Sequence, residues 1–234
     1  MSEIVTYEAR GAVAVIKMDD GRANAMSNAW IEAMSAALDA AEKDAAIKAV
    51  VIAGRPGRFS AGFDLKVMMS GPEAARALVR DGANLMMRVL ELRLPVVMAV
   101  SGHAIAGGLL LAACGDRRIG ITGDFKLGLN EVTNALPVPI FAHELARYRL
   151  DPRALEESVL RATMYTPDDA LRVGWLDRLV APEALEAAAI TEAEALAALP
   201  QPAYGKTKRS VRRPLLDYVR ATIDSNLESF KMGG

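Results

Sequence analysis

Residues 94–115, LPVVMAVSGHAIAGGLLLAACG, contain no Asp, Glu, Lys or Arg, and this run restricts the folds open to the chain. Its length would suit a membrane-spanning helix. However, Pro95 and the Gly107-Gly108 pair interrupt it, and no aromatic belt flanks it. The VVMAV part favours a strand and the LLLAA part favours a helix. We therefore predict a buried strand, a glycine-containing loop and a buried helix rather than a membrane span.

The composition is typical of a globular protein. The 234 residues suit one large domain or a core with a helical appendage, and 52% of them are hydrophobic. A net charge of -1 without a basic block argues against a nucleic-acid partner. Cys114 is the only cysteine and there are two histidines, so we predict neither a disulfide nor a metal site. The N-terminus lacks an export-signal pattern, so a cytoplasmic location is expected.

Predicted strands and helices alternate along the chain. Apolar runs predict strands at 12–18, 47–54, 96–100 and 117–121. Helical spacing of apolar residues predicts helices at 28–43 and 72–92, and the chain is helical in character from residue 181 onward. This alternation indicates an α/β fold. The pattern alone leaves open whether the sheet is open and doubly wound or part of a more coiled arrangement.

Two glycine turns follow predicted buried strands. FSAGFDLK spans 59–66 and SGHAIAGGLLL spans 101–111. Small residues let a backbone approach a ligand closely, and the first N–H groups of a helix have no intrahelical acceptor. Two such N–H groups directed at one oxygen would form an oxyanion hole. The alternative is that these glycines only permit tight packing. The spacing does not match the dinucleotide-binding G-x-G-x-x-G pattern.

The segments RPGRFSAGFDLK, SGHAIAGGLLLAACGDRRI and FKLGLNEV resemble, in this order, the crotonase superfamily, also called the enoyl-CoA hydratase/isomerase family. The similarity extends over roughly residues 5–180. It implies a spiral core of ββα units at 1–180 and a helical region at 181–234 that supports trimers or dimers of trimers. It also implies an acyl-CoA thioester substrate, with coenzyme A as part of the substrate and no separate cofactor.

The resemblance also implies site residues. Its oxyanion hole corresponds to the backbone N–H groups of Phe63 and Gly107. The substrate-binding positions are Ala23, Ala25, Ala61, Gly62, Phe63, Asp64, Leu65, Gly107, Leu110 and Asn130. Asp64 is also expected to cap the following helix. For the CoA phosphates, Lys206, Lys208 and Arg209 are candidates, although the stretch KTKRSVRR at 206–213 is equally consistent with a solvated basic helix face.

The glutamates of this superfamily distinguish its reactions. Hydratases carry one glutamate three residues after the oxyanion-hole glycine and a second about twenty residues later. Leu110 occupies the first position here and Glu131 the second. Hydration needs two groups to handle water and a proton, whereas moving a double bond from C3–C4 to C2–C3 needs a single base. The GLNE segment and the GG-x-LLA segment resemble the Δ3,Δ2-enoyl-CoA isomerase branch.

Glu131 is therefore the predicted catalytic base, in a pocket that raises its pKa and excludes water. The alternatives are a hydratase that obtains a second carboxylate elsewhere, a different CoA-thioester reaction, or a non-catalytic acyl-CoA-binding subunit. Glu131 itself could instead form a surface salt bridge or cap a turn. Among other polar residues, Asp116 is expected to pair with Arg117 or Arg118, and Cys114 is expected to be inert packing.

Overall fold

The chain forms two β-sheets, and the computed structural model describes residues 4–229. The strands are β1 (Val5–Arg10), β2 (Val13–Met18), β3 (Ala49–Ala53), β4 (Gly57–Ser60), β5 (Val96–Val100), β6 (Gly102–Ile105), β7 (Arg117–Ile121), β8 (Leu127–Gly128) and β9 (Arg178–Val180). The larger sheet has the order β1-β2-β3-β5-β7-β9 and the smaller one the order β4-β6-β8. Among these nine strands, β1 and β2 pair antiparallel and the other neighbours pair parallel.

Three successive strand pairs generate the repeat. In each pair the first strand (β3, β5 or β7) joins the larger sheet, and the next strand (β4, β6 or β8) joins the smaller one. A helix follows the first two of these pairs directly. This arrangement confirms the predicted α/β fold with ββα units. It is the more coiled arrangement, which the alternation of strands and helices could not distinguish from an open, doubly wound sheet.

The helices cover both faces of the larger sheet. They are α1 (Asn28–Lys43), α2 (Leu65–Met68), α3 (Pro72–Glu91), α4 (Gly107–Ala113), α5 (Ile140–Arg149), α6 (Leu155–Val159), α7 (Pro167–Val173), α8 (Leu185–Ala197) and α9 (Gln201–Ser229). On one face, Val13 and Val15 of β2 pack with Ala189 of α8. On the other, Ala14 and Ile16 join the main hydrophobic core. Because both faces are buried, the central strands are nearly continuous apolar runs.

The uncharged segment 94–115 forms β5, β6 and α4, and residues 107–113 of α4 are all buried. This outcome confirms the predicted buried strand and buried helix, while β6 adds a strand where only a loop was expected. Strands β1 and β4 were not predicted either, and β4 contains a glycine that weakens the strand pattern. None of the helices within residues 4–229 has the length and apolarity to span a membrane.

The predicted pairing of Asp116 is wrong. Its carboxylate pairs with Lys208 at 2.6 Å and with Arg212 at 2.8 Å, while Arg118 pairs with Asp177. Lys208 and Arg212 lie one turn apart on α9 and are both buried, so two of the five basic residues of the stretch belong to an internal ion-pair cluster. Neither of the two sequence-based alternatives for this stretch included such a cluster.

Candidate active site

An apolar cleft lies between α3, the start of α4, the segment before α5 and the end of α9. Its lining residues are Phe63, Met68, Ala75, Arg76, Val79, Leu110, Glu131, Leu136, Pro137, Pro139, Phe141 and Leu227. Only Arg76 and Glu131 among these side chains carry charge. Such a cleft suits an apolar ligand that is oriented by a small number of polar groups.

Glu131 is positioned by its own backbone. Its carbonyl oxygen accepts hydrogen bonds from the N–H groups of Asn134 and Leu136, both at 2.9 Å, at the start of a 3-10 turn. The side chain makes no capping hydrogen bond, and it has no ion pair within residues 4–229. Both simpler interpretations of Glu131, a surface salt bridge or a turn cap, are therefore wrong.

The carboxylate of Glu131 is sealed from solvent at one oxygen. Oε2 is buried and has no hydrogen-bond partner in the described part of the chain. Burial raises the pKa of Glu131, and a hydrogen bond from its own backbone N–H offsets this only in part. A buried carboxyl group with a raised pKa and a free oxygen is suited to accepting and returning a proton.

The predicted oxyanion-hole residues meet at the edge of the cleft. Gly62, with φ +90°, abuts the N-terminus of α4 so closely that a Cβ there would lie 3.1 Å from the nitrogen of Gly107. Ala106, just before Gly107, adopts the left-handed φ of 50°. Neither the Phe63 N–H nor the Gly107 N–H has an acceptor among residues 4–229. The two amides that the resemblance pointed to are thus free to bind a ligand oxygen.

Two loops that were predicted to bind CoA are joined side by side. The Ala61 N–H donates to the Ala23 carbonyl at 3.0 Å, and the Met26 N–H donates to the Gly62 carbonyl at 2.8 Å. The Asp64 N–H then donates to the Met26 carbonyl at 3.1 Å. The structure therefore brings the segment around Ala23 and Ala25 next to the oxyanion-hole segment.

Buried polar residues, which the sequence analysis missed, hold this junction. Asn24 lies in the left-handed region (φ 51°) and donates its amide to the carbonyl groups of Met18 and Phe59. The carboxylate of Asp20 is partly buried, yet hydrogen bonds from backbone N–H groups, that of Asn24 foremost, lower its pKa overall. Ser60 donates to the Asn24 carbonyl at 2.7 Å. An Asp and an Asn in a short turn are a recognisable signal for such bonding.

Of the remaining predicted residues, one lines the cleft and the others do not. Leu110 lines it and is 1% exposed. Asp64 caps α2 by accepting from the Lys66 N–H at 2.8 Å, which confirms its predicted capping role. Leu65 is 72% exposed. Asn130 uses its backbone carbonyl to accept from Thr133. Ala23, Ala25, Ala61, Gly62, Asp64, Leu65, Gly107 and Asn130 are absent from the lining.

The buried lysine of the basic stretch at 206–213 lies at the amino ends of β5 and β7. Lys208 donates to the Leu94 carbonyl at 3.0 Å and pairs with Asp116, and both of these residues precede parallel strands. The loops around Ala23 and Ala61 follow the ends of β2 and β4 instead. Lys208 is thus wrong as a ligand for CoA phosphates at the site of its own chain.

Comparisons with known proteins agree with this geometry. A family model described as enoyl-CoA hydratase/isomerase matches residues 8–232. The chain belongs to the enoyl-CoA hydratase/isomerase family. A crystal structure of a family protein from Pseudomonas syringae is 41% identical, with a TM-score of 0.94, over 97% of this chain and 98% of that one.

Relatives in this family carry both activities in their names. Mitochondrial enoyl-CoA delta isomerase 1 of Homo sapiens is 26% identical over 97% of this chain and 76% of its own length. A probable enoyl-CoA hydratase of Rhizobium meliloti is 32% identical over 91% of this chain and 82% of its own length. Family membership therefore supports an acyl-CoA enzyme, while the choice of reaction depends on the residues in the cleft.

Proposed function

We propose that the protein is a Δ3,Δ2-enoyl-CoA isomerase. The observation that carries this proposal is the composition of the cleft. Among its described lining residues Glu131 is the only carboxylate, and Leu110 stands where a hydratase has its other glutamate. Hydration would need a second group to orient and deprotonate water. An apolar side chain that is almost fully buried cannot do so.

In the proposed reaction Glu131 acts as a proton shuttle. Its carboxylate takes a proton from C2 of the 3-enoyl group, and the electron pair of that C–H bond forms an enolate with the thioester carbonyl. The enolate then collapses, the double bond moves to C2–C3, and Glu131 returns the same proton to C4. The proton that Glu131 takes from C2 is the one that it delivers to C4, so the reaction needs no oxidant, reductant or separate cofactor. CoA remains part of the substrate throughout.

The Phe63 and Gly107 amides supply the oxyanion hole in this proposal. Both N–H groups are free of acceptors within residues 4–229, and their segments are in van der Waals contact. Two donors directed at the thioester oxygen would stabilise the negative charge that develops in the enolate. Water would be kept from this charge by the apolar lining of the cleft.

We further propose that the loops around Ala23 and Ala61 bind the CoA moiety. Arg22 and Arg58 lie in or next to these loops, are exposed, and form no ion pair in the described part of the chain, whereas Arg55 pairs with Asp19 at 3.3 Å. Free guanidinium groups suit phosphate oxygens. The resemblance also supports trimers or dimers of trimers as the assembly, which light scattering in solution would test.

The decisive experiment compares 3-enoyl-CoA and 2-enoyl-CoA substrates in parallel. The wild type is expected to shift the 3-enoyl double bond and to hydrate the 2-enoyl bond poorly. Glu131→Gln is expected to lose isomerisation by at least about 100-fold, because the amide cannot accept the proton, while it still binds acyl-CoA. Glu32→Gln, at an exposed position on α1, is the matched control and should keep full activity.

Three outcomes would overturn the proposal. Faster hydration than isomerisation by the wild type would favour the hydratase alternative, and full isomerase activity of Glu131→Gln would exclude Glu131 as the base. Binding of acyl-CoA without turnover of either substrate would favour a non-catalytic acyl-CoA-binding subunit.

A further inference from the structure

Arg76 is the second charged side chain of the cleft, and the proposed mechanism does not use it. It lies on α3 between Ala75 and Val79, which both line the cleft and are both buried. Apart from Arg76 and Glu131, all the described residues that line the cleft are apolar. A guanidinium beside an acyl-binding surface therefore needs an explanation.

The other arginines of α3 all have carboxylate partners. Arg80 pairs with Asp224 at 2.6 Å, and Arg88 pairs with Asp39 and with Glu42. Arg76 has no carboxylate within 4.0 Å and no side-chain hydrogen bond among residues 4–229. On this helix it is the arginine whose charge remains available to a ligand.

Arg76 also lies apart from the reacting end of the cleft. The ring of Phe63 packs on Gly82, six positions further along α3. Six residues correspond to roughly 9 Å along a helix. Along α3, Arg76 thus lies nearly two turns from the position that contacts the Phe63 ring.

The chemistry of arginine narrows what this second charge can bind. Its planar guanidinium matches a carboxylate through two parallel hydrogen bonds, and such charge-assisted bonds strengthen where apolar walls exclude water. A purely hydrocarbon chain would gain nothing from it beyond packing against the side-chain stem. An acyl chain with a terminal carboxylate would match both the apolar wall and the charge.

We propose that Arg76 selects acyl-CoA thioesters whose acyl chain ends in a carboxylate, that is, monothioesters of dicarboxylic acids. This inference rests on the proposed function, because that function places the thioester at Phe63 and Gly107 and the acyl chain along the cleft. Arg76 then sets specificity and takes no part in the proton transfer.

Binding of saturated thioesters tests this selection without turnover. Isothermal titration calorimetry of the full chain would compare suberyl-CoA with octanoyl-CoA, adipyl-CoA with hexanoyl-CoA, and free CoA. The wild type is expected to prefer at least one carboxylate-bearing ligand by roughly tenfold over its methyl-ended counterpart, the range for a hydrogen bond to a charged group. Arg76→Met keeps the apolar stem and should remove this preference, and Arg76→Lys should retain part of it.

Arg80→Met is the matched control, since it makes the same change one turn away on α3, outside the cleft, and should leave the preference intact. Three results would overturn the proposal. They are no preference in the wild type, an equal loss of affinity for both ligand types in Arg76→Met, and a loss of affinity for free CoA in that variant, which would assign Arg76 to the CoA phosphates. Because no turnover is measured, a failed isomerase assay would not be mistaken for any of these results.

Discussion

The ring of Phe63 packs directly on Gly82 of α3. A Cβ added at Gly82 would lie 2.3 Å from Cε1 of the ring and 2.8 Å from its Cζ. On its other side, the same ring lies 3.3 Å from the position that a Cβ of Gly107 would occupy. Two glycines thus determine where the Phe63 side chain, and with it the Phe63 amide, can lie.

Gly82→Ala is therefore expected to displace the Phe63 ring and lower kcat/KM for isomerisation by about tenfold or more. Overpacking of this kind costs about 1–3 kcal/mol, only partly offset by the higher helix propensity of alanine. The double variant Phe63→Ala/Gly82→Ala is the control. With the ring removed, Gly82→Ala should have little further effect on activity, and additive losses in this cycle would contradict the steric explanation.

Leu110→Glu should introduce hydration. The new carboxylate would share the cleft with Glu131, and hydration of 2-enoyl-CoA is expected to rise by about tenfold, below the full contribution of a well-placed acid or base. Burial without a partner should cost about 3 kcal/mol of unfolding free energy. Leu110→Gln carries similar polarity without a base, so an equal gain in hydration in that variant would contradict the prediction.

The two carboxylates of Leu110→Glu should also interact. Like charges in one apolar cleft disfavour simultaneous ionisation, so the pKa of Glu131 is expected to rise further. The acid limb of the isomerase pH profile should move to higher pH than in the wild type. Steady-state kinetics across pH on 3-enoyl-CoA would measure this shift.

The raised pKa of Glu131 has a defined effect on stability. The folded state holds the Glu131 proton more tightly than the unfolded state, so this group lowers stability as pH rises from its ordinary value of 4.5 through the raised folded-state value. Glu131→Gln should consequently be more stable than the wild type at neutral pH, with the difference vanishing below the unfolded pKa. Urea unfolding at several pH values would measure it, and exposed Glu32→Gln should show no such dependence.

Asp116 is expected to be the critical member of the buried ion-pair cluster. Asp116→Asn leaves Lys208 and Arg212 without a counter-charge and should cost about 3–5 kcal/mol of unfolding free energy. Lys208→Met should cost less, because Asp116 keeps Arg212 at 2.8 Å and the Val96 N–H at 2.6 Å. Denaturant unfolding would compare the two, and an equal cost would contradict this ranking.

Arg22 and Arg58 are expected to contribute to CoA affinity. Arg22→Ala and Arg58→Ala should each weaken binding of free CoA by about threefold to tenfold, with a smaller salt dependence than the wild type, because one charge contact is removed. Arg209→Ala, on α9 where Arg209 pairs with Glu91 at 3.7 Å, is the control for this binding measurement. A loss confined to Arg209→Ala would instead indicate that a neighbouring chain supplies the phosphate contacts.

Local sequence patterns were sufficient for much of the fold. The helix at 28–43 begins and ends as predicted, because Ser27 caps it and its apolar residues recur at helical spacing. Residues with local capping roles also delimit α7: Thr166 precedes it and accepts from the Asp169 N–H, Pro167 begins it, and Gly174 ends it with a φ of 100°. By contrast, β4 and β6 have four residues each, and their pairing with one another depends on residues more than forty positions apart in the chain. No local pattern specifies such a pairing.

The same division applies to the candidate site. The sequence by itself determines the order of the glycine motifs, the leucine at position 110 and the glutamate at position 131. These features were sufficient to indicate the family. Only the tertiary structure seals one oxygen of Glu131 from solvent, separates Arg76 from any carboxylate and turns Lys208 toward Asp116. Burial and ion pairing depend on which distant segments pack together. The sequence alone therefore does not distinguish a charged residue that is solvated from one that is paired or one that is free to bind a ligand.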